Sequence, residues 1–195
     1  MDINKVLSDT VVKIKPSGIR RFFDMADSYD DCISLGVGEP DFKTPWHIRS
    51  AGIENLKSGA TRYTANAGLL RLRESICAYM DRRFGLEYDP RSQVFVTVGG
   101  SEGIDAVIRS LVNPGDEVLI PQPSFVCYAP LTELAGGVPV ILPTYEQDQF
   151  RLRPDVLKQA ITPKTKLLIM PYPNNPTGAV MTMTDYQAIA DVLKQ

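Results

Sequence analysis

From Gln93 onward the sequence alternates two hydrophobic patterns. Short apolar runs of strand length occupy residues 94–98, 117–120, 138–142 and 165–170. Between them, residues 101–112, 125–135 and about 154–161 carry apolar side chains at helical spacing, and a further helix opens near Thr184. In the first of these helices the apolar stripe is Ile104, Val107, Ile108 and Leu111. Strands that alternate with helices imply right-handed βαβ units, so the pattern predicts an α/β fold on a mostly parallel sheet. The turn Asn113-Pro114-Gly115-Asp116 and the pair Gly136-Gly137 stop helices and place the strands that follow.

The first ninety residues have a different texture. Residues 17–26 can form a helix, 32–35 a short strand and 36–41 a turn-rich loop. Thr44-Pro45 reads as an N-cap followed by proline at the first helical position, opening a helix through about Leu56. After the loop at 63–68, Leu69, Leu72, Ile76, Tyr79 and Met80 repeat at helical spacing up to a stop at Gly85.

Composition narrows the function classes. The 195 residues are 44% hydrophobic and 23% charged, which is ordinary globular usage with enough apolar material for a sizeable core. A net charge of −2, with basic and acidic residues interspersed, argues against a nucleic-acid surface and favours small-molecule chemistry. Cys32, Cys77 and Cys127 are odd in number and widely spaced, so neither a disulfide framework nor a zinc cluster is expected. His47, the only histidine, has no partner for nucleophilic or metal chemistry and reads as a surface or interface residue. Arg20-Arg21, beside Phe22-Phe23, fits either the mouth of a site or a solvated helix face. With no leader peptide and no apolar stretch of membrane-spanning length in this sequence, no membrane association and a cytoplasmic location are expected.

Three strand-end segments carry candidate chemistry, because open parallel sheets hold ligands beyond the carboxyl ends of their strands. Pro173-Asn174-Asn175-Pro176-Thr177-Gly178 follows an apolar run and restricts Asn175 between prolines, so that its amide can be aimed at low entropic cost. Gly99-Gly100-Ser101-Glu102 breaks a strand into a helix whose unpaired amides and positive dipole end suit a phosphate, with the Glu102 carboxylate expected to point away from it. Pro121-Gln122-Pro123-Ser124-Phe125 offers an aromatic face to a flat ring. Alone, each has a plain reading: an ordinary turn, a capped helix start and a core phenylalanine. Together they match what a planar phosphorylated cofactor requires.

Leu35-Gly36-Val37-Gly38-Glu39-Pro40-Asp41-Phe42, Tyr63-Thr64-Ala65-Asn66-Ala67-Gly68, Gly99-Gly100-Ser101-Glu102-Gly103 and Asn174-Asn175-Pro176-Thr177-Gly178 resemble, in order and spacing, the signatures of class I/II aminotransferases of the pyridoxal-phosphate fold type I. The nearest resemblance is to the bacterial aspartate, aromatic and N-acetyl-diaminopimelate branch. It implies a three-layer sandwich with a mostly parallel sheet, incomplete here, preceded by a helical small-domain segment. Residues 1–45 would be the amino-terminal arm and small-domain segment, and 46–195 the first part of the large cofactor-binding domain. It further implies pyridoxal 5′-phosphate as cofactor, an amino acid and a 2-oxo acid as substrates, and a homodimer. Backbone amides of Gly100, Ser101 and Glu102, and the Ser101 hydroxyl, would hold the cofactor phosphate. Phe125 would stack on the pyridine ring and Asn175 would hydrogen-bond its phenolic oxygen. Tyr63 would reach the phosphate held by the other subunit, Gly38 would lie at the substrate carboxylate and Ile19 near the substrate side chain. The bond Asn175–Pro176 is expected to be cis, and Ser101, Phe125 and Asn175 are expected around one pocket.

The resemblance also implies that the Schiff-base lysine, the aspartate at the pyridine nitrogen and the arginine for the substrate carboxylate lie beyond Gln195. Lys158, Lys164, Lys166 and Lys194 suit solvated positions, so no catalytic residue is assigned and this chain alone is expected to be inactive. In the resembling fold, later strands separate residues 94–98 from the other three, so the chain is not expected to fold as an ordinary autonomous domain. Two further readings stay open, a pyridoxal-phosphate lyase or synthase of the same fold and a non-catalytic binding module.

Overall fold

The computed structural model describes residues 5–15, 18, 25, 28, 29, 31, 33, 38 and 40–194. Ile19 and most residues of the helix expected at 17–26 and the strand expected at 32–35 lie outside the described residues. The chain divides into two compact units, residues 1–16 with 98–195, and residues 17–97.

The larger unit is an α/β sandwich. Strands β1 (Glu117–Gln122), β2 (Val138–Pro143) and β3 (Thr165–Leu168) form a parallel sheet in the order β2-β1-β3. Alternation along β1 sends its side chains to two separate cores. Val118 and Ile120 pack with Ile108 and Val112 of the α4 (Gly99–Leu111) segment and with partly buried residues of α5 (Tyr128–Leu134). Leu119 packs on the other face with Leu142, Leu152, Met181, Leu157 of α6 (Pro154–Ala160) and Ile189 of α7 (Met183–Leu193). The three layers expected from the sequence are therefore present. A short α1 (Asp9–Lys13) is capped by Ser8, whose hydroxyl accepts from the Val11 N–H.

Close approach fixes one glycine in this unit. A Cβ on Gly137 would stand 2.7 Å from Val112 Cγ1, 3.0 Å from Thr132 Cγ2 and 3.2 Å from the Asp116 carbonyl. The stop at Gly136-Gly137 therefore also lets the chain pass tightly between α5 and β2. Helix α7 opens with a capping box, in which Thr182 Oγ1 accepts from the Asp185 N–H and Asp185 accepts from the Thr182 N–H.

The smaller unit holds α2 (Trp46–Lys57) and α3 (Leu70–Phe84). The cap expected at Thr44 is not made; α2 starts one residue later than read, with Pro45 at the N-cap and no side-chain hydrogen bond there. No residue of α2 is buried. Gly85 ends α3 in the left-handed conformation at φ 66°, where glycine carries no Cβ penalty. Arg73, 7% exposed, ties α3 to the following loop by donating to the Pro90 carbonyl at 2.6 Å. The strand expected at 94–98 does not form. A strand exists only as a partner in a ladder, and here the Val96 N–H donates to the Ala67 carbonyl beside Gly68 instead.

Two outcomes follow. Gly137→Ala is expected to lower stability by about 1–3 kcal/mol, because Val112 and Thr132 must move off their positions; a denaturant midpoint equal to wild type would show that the gap relaxes freely. Asp185 is held below the usual carboxylate range by the Thr182 N–H, then by the Thr182 hydroxyl, with Arg151 adding to them. A depressed folded-state value stabilises above the unfolded value of about 3.9 and is lost as pH falls through the folded one. The difference in urea midpoint between wild type and Asp185→Asn should therefore shrink between pH 7 and pH 3, whereas a constant difference would mean the carboxylate charge plays no part.

Candidate active site

The site begins where the strands end. Because β1 and β3 are parallel neighbours, the loops that follow them emerge on the same edge. The loop after β1 runs through Pro123, Ser124 and Phe125 to Cys127, which precedes α5. The helix expected from Phe125 thus starts only at Tyr128, and Phe125 sits in the loop. Its ring meets Tyr128 edge-on, centroids 6.1 Å apart at 76°, and its relative exposure is 36%. Pro123, Phe125, Ile120, Val126 and Ala129 are among the walls of a hollow of about 350 Å³. That volume falls in the range of small-molecule sites.

The loop after β3 is welded to this one. The Asn174 amide donates from Nδ2 to the Pro123 carbonyl at 3.2 Å, and Asn174 is only 6% exposed. The next residue, Asn175, is exposed and its side chain has no partner among the described residues. The bond Asn175–Pro176 is cis, as are Gln122–Pro123 and Tyr172–Pro173.

Helix α4 supplies the third element. Gly99 takes φ 78°, which turns the chain into the helix at a position that disfavours any side chain. The Glu102 carboxylate folds back to accept from the Val98 N–H, so it satisfies one of the amides that begin the helix. Gly100 and Ser101 follow in the first turn, both exposed, and a Cβ on Gly100 would meet nothing within 4 Å. The Ser101 hydroxyl lies near the Cys127 thiol. Burial pushes that thiol above its ordinary pKa, and the nearby Ser101 hydroxyl offsets part of the rise.

Phe125 and Asn175 are thus carried to one edge, their loops joined by the Asn174–Pro123 hydrogen bond. Neither Ser101 nor Asn175 lines the hollow beside Phe125. Tyr63 is fully exposed in a loop of the smaller unit, and Gly38, also there, has open space around its Cα. Lys164 and Lys166 lie at the amino end of β3, away from this edge, while Lys158 belongs to α6 and Lys194 caps α7. Sequence reading missed Asn174 and Cys127. The signal for Asn174 was the spacing Asn-x-x-Thr, which lets the amide oxygen of Asn174 accept from Thr177.

The donor set fits a phosphorylated planar ring. Exposed amides at the positive end of a 13-residue helix can take a phosphate, an exposed aromatic stands beside an open hollow, and an uncommitted amide stands one residue from the clamp. Among the described residues no cluster of three or more His, Cys, Asp or Glu is placed to hold a metal ion, and no helix is long and apolar enough to cross a membrane.

Comparison with known proteins agrees with this chemistry. The family described as aminotransferase class I and II matches residues 30–195. The chain is 47% identical to an aromatic-amino-acid aminotransferase of Thermococcus litoralis, over 95% of this chain and 48% of the relative. It is 46% identical to an aspartate aminotransferase of Pyrococcus abyssi over the same shares. The solved aspartate aminotransferase of Thermus thermophilus superposes with a TM-score of 0.89 at 36% identity, covering 96% of this chain and 50% of that one. The chain spans about half the length of the relatives it matches. With the family match covering most of its length, the chain belongs to the class I and II aminotransferases.

Proposed function

We propose that this chain supplies the phosphate-binding and ring-binding part of a pyridoxal-phosphate-dependent aminotransferase, which moves an amino group from an amino acid to a 2-oxo acid. The observation that supports the reading is the Asn174–Pro123 hydrogen bond, which joins the loop after β3 to the loop that carries Phe125. Bound pyridoxal phosphate supplies the electron sink for breaking a bond at the amino-acid α carbon. The protein's part is binding and orientation. Backbone amides of Gly100, Ser101 and Glu102, with the Ser101 hydroxyl, hold the phosphate at the positive end of α4. Phe125 stacks on the pyridine ring, and the Asn175 amide donates to the ring's phenolic oxygen.

The remaining roles rest on the family. Tyr63, fully exposed, serves the phosphate of the other subunit in a homodimer. Gly38 lies at the substrate carboxylate and Ile19 near the substrate side chain. Residues 1–45 form the arm and small-domain segment and 46–195 the first part of the large domain, with the cofactor-bearing lysine supplied from outside residues 1–195. The location is cytoplasmic. Aspartate and aromatic amino acids are the first donors to try, after the names of the relatives.

The test uses the native gene product. Phe125→Ala and Asn175→Ala are each expected to raise the pyridoxal phosphate Kd roughly tenfold, the scale of one lost stacking or hydrogen-bonding partner. Donor and oxo acid together should yield the transaminated pair. Release of ammonia with a 2-oxo acid would instead identify a lyase, and tight cofactor binding without turnover a binding module.

A further inference from the structure

We infer that Asn174 is a positioning residue, whose buried amide pins the loop after β3 to the loop after β1 and so sets Asn175 relative to Phe125. The inference rests on reading this edge as a cofactor site. The last bond between β3 and β1 runs from the Ile169 N–H to the Leu119 carbonyl. Asn175 lies six residues beyond that bond, too far for the ladder to fix its amide. Asn174 shortens the lever to one residue, because Nδ2 reaches the Pro123 carbonyl at 3.2 Å and Pro123 stands two residues before Phe125.

The amide can point only one way. Its oxygen accepts from the Thr177 N–H at 3.2 Å and the Thr177 hydroxyl at 2.9 Å, and since a backbone N–H can only donate, the oxygen must face Thr177 and the NH₂ must face Pro123. The Thr177 hydroxyl in turn accepts from the Ala179 N–H at 3.2 Å. Asn174 also exchanges backbone bonds with its own turn, donating to the Ala179 carbonyl at 2.9 Å and accepting from the Gly178 N–H at 2.8 Å. Every polar atom of the residue is therefore committed, at 6% exposure. Such a closed network holds the exposed neighbour in place before a ligand arrives, which removes an ordering cost from binding.

The deciding variant is Asn174→Asp in the native gene product. It keeps the acceptor for Thr177 and replaces the NH₂ donor with an oxygen that repels the Pro123 carbonyl when ionised and donates to it when protonated. The pyridoxal phosphate Kd, relative to wild type at the same pH, should be about tenfold higher at pH 8 and return toward wild type as the pH is lowered to 5. Binding of inorganic phosphate, which probes the α4 amides alone, should stay within about twofold. Without any ligand, hydrogen exchange should lose protection in both 121–127 and 171–179. Thr177→Val should reproduce the loss, and Thr177→Ser should restore wild-type behaviour. Asn174→Asp binding at wild-type strength at pH 8 overturns the inference. So does loss of protection confined to 171–179, or a pH-independent loss that phosphate binding and the denaturation midpoint share equally. Wild-type protein that binds no pyridoxal phosphate overturns the cofactor reading and the positioning role with it, while the exchange data still report whether the two loops are pinned.

Discussion

Strand β1 has no solvent side, and the larger unit is built around that constraint. Val118, Leu119, Ile120 and Pro121 are all essentially inaccessible, pairing with β2 on one edge and β3 on the other. A strand buried on both faces must alternate between two cores, and each core needs its own helices. This is why α4 and α5 lie on one face and α6 and α7 on the other. It is also why the chain after Gln122 can leave the sheet only along its carboxyl edge, where Phe125 is then presented. Burial of β1 and exposure of the site have one cause.

Much of this was legible in residue spacing. The strands at 117–122 and 138–143 and the helices after Gly99 and Pro154 fall where the patterns place them, within two residues or so at the ends. The segments after β1 and β3 are joined, by the Asn174–Pro123 hydrogen bond. What escaped depended on distant partners. Residues 94–98 carry a sound strand composition, yet strand identity belongs to a pair, and Val96 finds Ala67 instead. Phe125 was read into a helix by its apolar character, whereas the turn at Gln122–Pro123 delays α5 to Tyr128. Asn174 and Asn175 are adjacent and chemically identical, so only the fold distinguishes the buried one from the exposed one.

The helix-opening glycines and the prolines around them divide the labour at the edge. Gly99 makes the turn possible, Glu102 consumes the one amide nearest the bend, and the amides of the next residues remain at the surface. The Ser101 hydroxyl stands near Cys127 of the loop after β1. Secondary structure supplies direction and the Asn174–Pro123 bond supplies registration. Neither would suffice alone, because helix and strand ends fray where their ladders stop.

Among the described residues β3 pairs only with β1, and this has a topological meaning. A parallel strand cannot be reached by a hairpin; it needs a crossover of a dozen or more residues, and such crossovers are right-handed in nearly all proteins. The chain moves from β1 outward to β2 through α5 on one face, then back across to β3 through α6 on the other. Helix α7 shares the face of α6. By the same handedness, a parallel strand joined through α7 is steered to the outer side of β3 and away from β2. The chirality of the L-amino acids thus already selects which of the two sheet edges can grow.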